Sequence, residues 1–315
     1  MRLGLVSTAK INDALLKAPP PEVDIVAVAS RDGARAQAYA SEHGIERSHG
    51  SYEELFADDG IDAVYISLPN GMHHEWTLKA IDAGKHVLVE KPYSRRSAEV
   101  EEAWAAAERA GVIVMEAFMW RHHPQAAVAR SLVEDGAIGR LRHIRTTFSF
   151  PLLDLENIRM TPDLDGGALM DVGCYCISGA RLLGGEPERV YGEQVIGPTG
   201  VDVDFCGTLR FQDDVVAQFD ASFTLPERQR LEATGENGTL VLEAPWRADW
   251  GGRVLVNGEQ VDVPAADPYA LELSNLAAAI AGGAEPLLGR DDALAQARVI
   301  EALYRSAESG EAVEL

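Results

Sequence analysis

Asp171 and Tyr175 lie four residues apart in the run Asp171-Val172-Gly173-Cys174-Tyr175. In a helix that spacing puts both side chains on one face. A tyrosine so placed donates a proton to a carbonyl oxygen if its pKa falls toward neutrality. A nearby ammonium has that effect because it favours the phenolate. Lys91, in Glu90-Lys91-Pro92 at the end of an apolar run, is the candidate ammonium. The φ-locked Pro92 gives it a defined direction, and Asp171 would orient Lys91 or a substrate hydroxyl. The same residues also fit a half-buried tyrosine and an aspartate drawn to a helix N-terminus by the dipole. Spacing alone leaves both readings open.

A second set points to a nucleotide. Gly4-Leu5-Val6 is followed by Ser7-Thr8-Ala9-Lys10-Ile11-Asn12. A dinucleotide fingerprint would place glycines at 7, 9 and 12, where Ser7, Ala9 and Asn12 stand. Small side chains at 7 and 9 still admit a pyrophosphate to the backbone, and the next helix would offer N–H groups. The second apolar run ends Ala29-Ser30-Arg31. NAD sites usually place an acid there for the ribose 2′-hydroxyl. Ser30 can donate to a 2′-phosphate instead, and Arg31 can pair with it or stack on adenine. NADP(H) is therefore expected over NAD(H). Two alternatives stay open: Arg31 as a solvated helix-start residue, and Asp32 as the acid. The adjacent pairs His73-His74 and His122-His123 diverge on a helix, whereas zinc needs converging ligands. No metal is expected. His73 is taken as a cofactor-loop residue and His122 as a pocket wall, with Phe148 and Phe150 in the core of a sheet.

The elements that must position these groups alternate in the first third of the chain. Strands are predicted at Leu3 to Val6, Val23 to Ala29, Ala63 to Leu68, His86 to Val89 and Val112 to Met115. Helices are predicted between them, one opened by a capping box at Ser51 and Glu54. This βαβα alternation predicts a doubly wound parallel sheet with helices on both faces, binding ligands at the strands' carboxyl ends. Beyond Trp120 the pattern changes. A strand is predicted at Leu141 to Phe150 and a helix at Ala168 to Leu183. From Val190 to Val263 come short β-like runs punctuated by Asp213-Asp214, Glu236-Asn237-Gly238 and Asn257-Gly258. Helices at Tyr269 to Ala281 and Ala293 to Ser309 close the chain. The expectation is an α/β protein with a Rossmann-like domain over 1–120. An α+β domain over 121–315 would carry a large, mostly antiparallel open sheet.

Composition bounds the partners. The 315 residues carry a net charge of -22, which excludes a phosphate-tracking basic surface and hence nucleic acid, and disfavours anionic membranes. No apolar stretch approaches the roughly 18 residues of a membrane span. No secretory leader is recognisable, and the three cysteines give no disulfide framework. A cytoplasmic protein is expected. The second sheet has few helices to cover one face, which predicts a homodimer or tetramer through that sheet.

Together, VYISLPNGMHHEW, AGKHVLVEKP, EAFMWRHHPQ and GGALMDVGCYC resemble the Gfo/Idh/MocA oxidoreductases. Within that family they resemble the branch of NADP-dependent aldose dehydrogenases, dimeric dihydrodiol dehydrogenases and glucose–fructose oxidoreductase. Ser7 departs from the glycine usual there. The resemblance implies that Lys91 contacts nicotinamide ribose and substrate, that Tyr175 is the general acid/base, and that Asp171 is its acidic partner. It implies a pyrophosphate turn at Ser7, Thr8, Ala9 and Lys10 and a 2′-phosphate grip at Ser30 and Arg31. Leu68, Asn70 and His73 would line the cofactor loop, with Glu90 as the acid before the lysine. Trp120 and Arg121 would lie near the cofactor, and Arg121, His122 and Arg159 on the substrate side. The implied activity is hydride transfer between NADP(H) and a CH–OH or C=O group of a carbohydrate-like substrate. The alternative is a dinucleotide-binding sensor without turnover.

Overall fold

The computed structural model describes residues 1–248 and 251–315. The chain divides into two units, Met1–His122 with Pro268–Leu294, and His123–Asp267 with Ala295–Leu315.

The first unit runs β1 (Arg2–Val6), α1 (Asn12–Lys17), β2 (Asp24–Ala29), α2 (Gly33–His43), β3 (Arg47–His49) and α3 (Tyr52–Phe56). It continues with β4 (Ala63–Ile66), α4 (His73–Asp82), β5 (His86–Glu90), α5 (Ser97–Ala110), β6 (Val114–Ala117) and α6 (Met119–His122). The six strands pair in the order β3-β2-β1-β4-β5-β6, and every pairing is parallel. Helices cover both faces, so the central strands are apolar at nearly every position. Leu3, Leu5, Val6, Val64, Tyr65, Ile66, Val87, Leu88 and Val89 are wholly buried. The polar edge strand β3 carries no apolar signal. It is fastened by Arg47 and His49, which both reach Asp58, at 2.7 and 3.2 Å. Strand order reverses between β1 and β4, and the crevice at the carboxyl ends of such strands is where open α/β sheets bind ligands.

Local chemistry sets the helix ends. Asp32 caps α2 by accepting the N–H groups of Ala34 and Arg35 at 2.9 and 3.3 Å. Ser51 accepts from the Glu54 N–H, while the Glu54 carboxylate returns to Gly50, one residue before the position an ideal capping box would use.

The second unit holds α7 (Pro124–Glu134), β7 (Leu141–Ser149), α8 (Cys174–Gly184), β8 (Arg189–Ile196), β9 (Asp202–Arg210), β10 (Val216–Ser222) and β11 (Arg228–Gly235). Three short strands follow, β12 (Thr239–Leu242), β13 (Val254–Val256) and β14 (Glu259–Val261). Helix α9 (Pro268–Ile280) belongs to the first unit. Helix α10 (Arg290–Ser309) and β15 (Val313–Glu314) end the chain. Nine strands pair in the order β14-β13-β12-β11-β7-β10-β9-β8-β15. All pairs are antiparallel except β7 with β10. Asn257 and Gly258, at φ 53° and 85°, make the β13–β14 turn.

Helix α8 packs on one face of this sheet, and its residues Cys174 to Arg181 are all buried. Thr146 of β7 donates to the Cys176 carbonyl at 3.2 Å. Close approach requires small residues. A Cβ at Gly179 would lie 2.5 Å from the buried Trp246 ring and 2.9 Å from Leu231. The opposite face is polar, carrying Arg145, Glu193, Asp220, Arg228, Arg230 and Glu232. The predicted helix at Ala168 begins differently from expectation, as a π-helical turn over Leu169–Gly173 that passes into α8.

Gly179→Ala should destabilise the protein by about 1–3 kcal/mol, because the indole of Trp246 has nowhere to retreat. Urea unfolding checks this, and an unchanged midpoint would show that the helix–sheet contact is looser than described.

Candidate active site

Ser7 follows β1 and Ser67 follows β4, so the two flank the strand-order reversal. Their hydroxyls lie 2.7 Å apart. Ser7 holds φ 141°, a conformation that favours glycine. The cost is offset locally. The Ser7 hydroxyl accepts from the Ala9 N–H at 3.0 Å, and fully buried Asn12 donates to the Ser7 carbonyl at 2.9 Å. Asn12 also accepts from Ser67 at 2.8 Å. The departures at Ser7 and Asn12 are thus coupled, each holding the other. Thr8 and Ala9 are half-buried on this turn and Lys10 is exposed.

At the end of β2, Ser30 is buried and its hydroxyl accepts from the Asp32 N–H at 3.3 Å. The Asp32 carboxylate serves the N-terminus of α2. Arg31 is exposed, and its charge acts on the Tyr52 phenol. Arg35, one turn further, also acts on that phenol's charge. Burial outweighs both cations and raises the Tyr52 pKa. Arg35 and Tyr52 were not anticipated. The four-residue spacing of Arg31 and Arg35 was a usable signal, whereas Tyr52 gave none.

Around Lys91 the first unit supplies a dense polar support. The Glu90 carboxylate accepts the Tyr65 hydroxyl at 2.5 Å and the Lys91 N–H at 3.3 Å. The Lys91–Pro92 bond is cis. His73, expected in the loop along the cofactor, is fully buried. Its ring nitrogens face the carbonyls of Leu68 and Pro92 at 2.8 and 3.0 Å, and burial pulls its pKa down. It therefore ties the 68–72 loop to the segment after Lys91 from behind. Leu68 is buried and Asn70 is half-buried at the start of a 3-10 turn. Trp120 is also buried. Arg121 lies 5.7 Å from the Trp120 ring centroid and pairs with Asp292 at 3.4 Å.

In the second unit the π-turn carries Asp171 and leads into Tyr175. Asp171 accepts from Arg159 at 2.7 Å. This joins two residues named from the sequence but not paired there. The spacing of 12 positions hides the pairing, because the irregular loop conformation decides it. Tyr175 is 8% exposed. Its ring is edge-on to Phe148 at 5.5 Å and tilted against Trp246 at 6.0 Å. Phe148 is thus a ring wall as well as a sheet residue, while Phe150 packs on Phe223. Among the described residues no three His, Cys, Asp or Glu side chains gather in a metal-holding group.

Residues 3–118 match the oxidoreductase family with an NAD-binding Rossmann fold, and residues 126–241 match the GFO/IDH/MocA C-terminal domain. The chain belongs to the Gfo/Idh/MocA family of oxidoreductases. It is 40% identical to the D-xylose 1-dehydrogenase (NADP(+)) 2 of Haloferax volcanii, with 100% of each chain covered. A 3-ketoreductase from Actinomadura kijaniata, solved with NADP and TDP-benzene, superposes with a TM-score of 0.91 at 30% identity over 97% of each chain. The aldose-aldose oxidoreductase of Caulobacter crescentus, solved with glycerol, gives 0.90 at 28% identity, covering 100% of this chain and 99% of that one.

In this Gfo/Idh/MocA chain His122 is a neutral imidazole. Burial, with Arg121 beside it, lowers its pKa to about 4, and its Nε2 has no hydrogen-bond partner. An unfolded histidine titrates near 6.5. The contribution to stability is therefore full above about pH 6.5 and is lost as pH falls toward 4. His122→Gln should remove up to about 3 kcal/mol of that acid loss. Urea midpoints of the two proteins compared from pH 7 to 4.5 measure it, and parallel curves would refute it.

Proposed function

We propose that the chain is an NADP(H)-dependent dehydrogenase or reductase interconverting a CH–OH group and a carbonyl on a carbohydrate-like substrate. The observation that carries the cofactor choice is the engagement of Asp32 as a helix cap. The strand end then presents Ser30 with Arg31 and Arg35, donors suited to a 2′-phosphate. The H. volcanii relative, named for NADP(+), agrees with this reading. The turn at 7–10 fits a pyrophosphate, because its small side chains and the glycine-like backbone of Ser7 leave the main chain approachable. Ser7, Thr8, Ala9 and Lys10 would hold it there, with Leu68, Asn70, Trp120 and Arg121 along the rest of the cofactor. His73 and Glu90 would act through the loops they brace.

The bound nicotinamide supplies the two-electron hydride chemistry. The protein's own task is the proton and the orientation. Tyr175 takes the proton of the substrate hydroxyl during oxidation and returns it to the carbonyl oxygen during reduction. Asp171, held by Arg159, orients the substrate's neighbouring hydroxyl groups. Lys91 serves the nicotinamide ribose and the reacting oxygen, as the family resemblance implies. His122 walls the substrate side. Aldose and ketoreductase names among the relatives favour a sugar-like substrate. Mixed arginines and carboxylates on the open sheet face suit self-association into a homodimer or tetramer. The unbridged thiols of Cys174, Cys176 and Cys206 suit the reducing cytoplasm.

Tyr175→Phe should lower kcat by about 10²–10⁴ while NADPH binding, followed by fluorescence, stays nearly intact. Full activity in an NADPH-oxidation assay over aldoses, ketoses and diketones would end the proton-transfer assignment. Separately, replacing Arg31 and Arg35 together by alanine should weaken NADPH by about tenfold or more and NADH little. Equal losses for both would remove the phosphate grip.

A further inference from the structure

Asp202 opens β9, far in sequence from the proton-transfer residues, and is 3% exposed. One carboxylate oxygen accepts the Leu169 N–H at 2.7 Å, and the other accepts the Tyr304 hydroxyl of α10 at 2.9 Å. Gly167, at φ 125°, passes so close that a Cβ there would collide with Asp202 Oδ1. The carboxylate, the phenol and the glycine therefore form one packed joint. Leu169 is also the first residue of the π-turn, and its carbonyl accepts the Cys174 N–H five residues on. The residue whose N–H is fixed by Asp202 is the residue whose carbonyl closes the widened turn.

The geometry points to Asp202, backed by Tyr304, as a positioning residue that holds the π-turn and thereby sets Asp171 and Tyr175 in their working alignment. This rests on the dehydrogenase reading above. The first N–H groups of a helix lack internal partners, and a buried carboxylate meets one with a charge-assisted bond. π-turns are rare and recur at functional sites. A segment released at its first residue relaxes toward the commoner α spacing. That relaxation turns Asp171 relative to Tyr175 and draws it from Arg159, 2.7 Å away. Gly166 adds to the joint, since a Cβ there would strike the backbone of Arg159 itself. The loop bearing Arg159 and the turn bearing Asp171 are thus held in one packing arrangement.

Asp202→Asn and Tyr304→Phe test this in the full-length protein. Asparagine keeps the shape but loses the charge and one acceptor. Phenylalanine removes only the bond from the phenol. Asp202→Asn should lower kcat about tenfold or more, with the NADPH dissociation constant and substrate KM within about twofold of the parent. The limb of the kcat–pH profile that Tyr175→Phe abolishes should shift. Tyr304→Phe should move the same quantities the same way by less. Independently of turnover, hydrogen exchange in the 167–176 peptide should quicken in Asp202→Asn while peptides of the first unit do not change. Unaltered exchange there, or parental kcat with an unshifted pH profile, overturns the proposal. A uniform loss of folded protein with unchanged kcat per folded molecule also overturns it. An inactive parent would instead sink the dehydrogenase reading, and the exchange measurement separates the two failures.

Discussion

The Cys174 N–H reaches back five residues to the Leu169 carbonyl, and the segment carrying Asp171 and Tyr175 is arranged around that bond. In an α-helix each residue turns by about 100°, so two residues four apart overshoot a full turn by about 40°. A wider turn advances each residue by less and takes up part of the overshoot. Asp171 and Tyr175 straddle the passage from π to α geometry and so come closer to one line than a plain helix would allow. Rings then limit the phenol, with Phe148 and Trp246 on two sides, and Arg159 limits the carboxylate. Gly179 lets the helix lie on Trp246, so the packing behind the phenol depends on an absent side chain.

At the nucleotide end the governing constraint is backbone conformation. A serine at φ 141° is tolerable because its hydroxyl and carbonyl both find partners in Ser67, Ala9 and Asn12. The asparagine that replaces the last fingerprint glycine is fully buried and bonded on both ends of its amide. The motif is therefore rebuilt in hydrogen bonds where glycines would have met it by conformational freedom alone.

Much of the architecture was legible in the sequence because burial on both faces writes itself as an apolar run. Strands such as Leu3 to Val6, sealed from either side, need no polar alternation to be found. Asn257-Gly258 announced its hairpin through the φ values it permits. The polar edge strand Arg47–His49 stayed hidden, since its stability comes from Asp58 and not from burial. The parallel pairing of β7 with β10 was equally invisible, because alternation marks faces and says nothing of direction. Lys91, Asp171 and Tyr175 were visible as types at spacings. The Arg159–Asp171 pair, the π-turn and the influence of Arg31 on Tyr52 depend on loop conformation and on residues distant in sequence, so no local pattern encodes them.

Covalent continuity is interleaved between the units: the chain crosses from one to the other after His122, after Asp267 and after Leu294. Leu273, Leu276 and Leu288 lie wholly buried in the segment that returns to the first unit, and the Leu288 carbonyl accepts the Glu116 N–H. A gene truncated after the Rossmann strands would deprive that sheet of part of its own interior. Exchange of the nucleotide-binding half between homologues by a single crossover would accordingly divide the first unit's interior between two parents, whereas moving the distant 268–294 stretch with it keeps that interior whole.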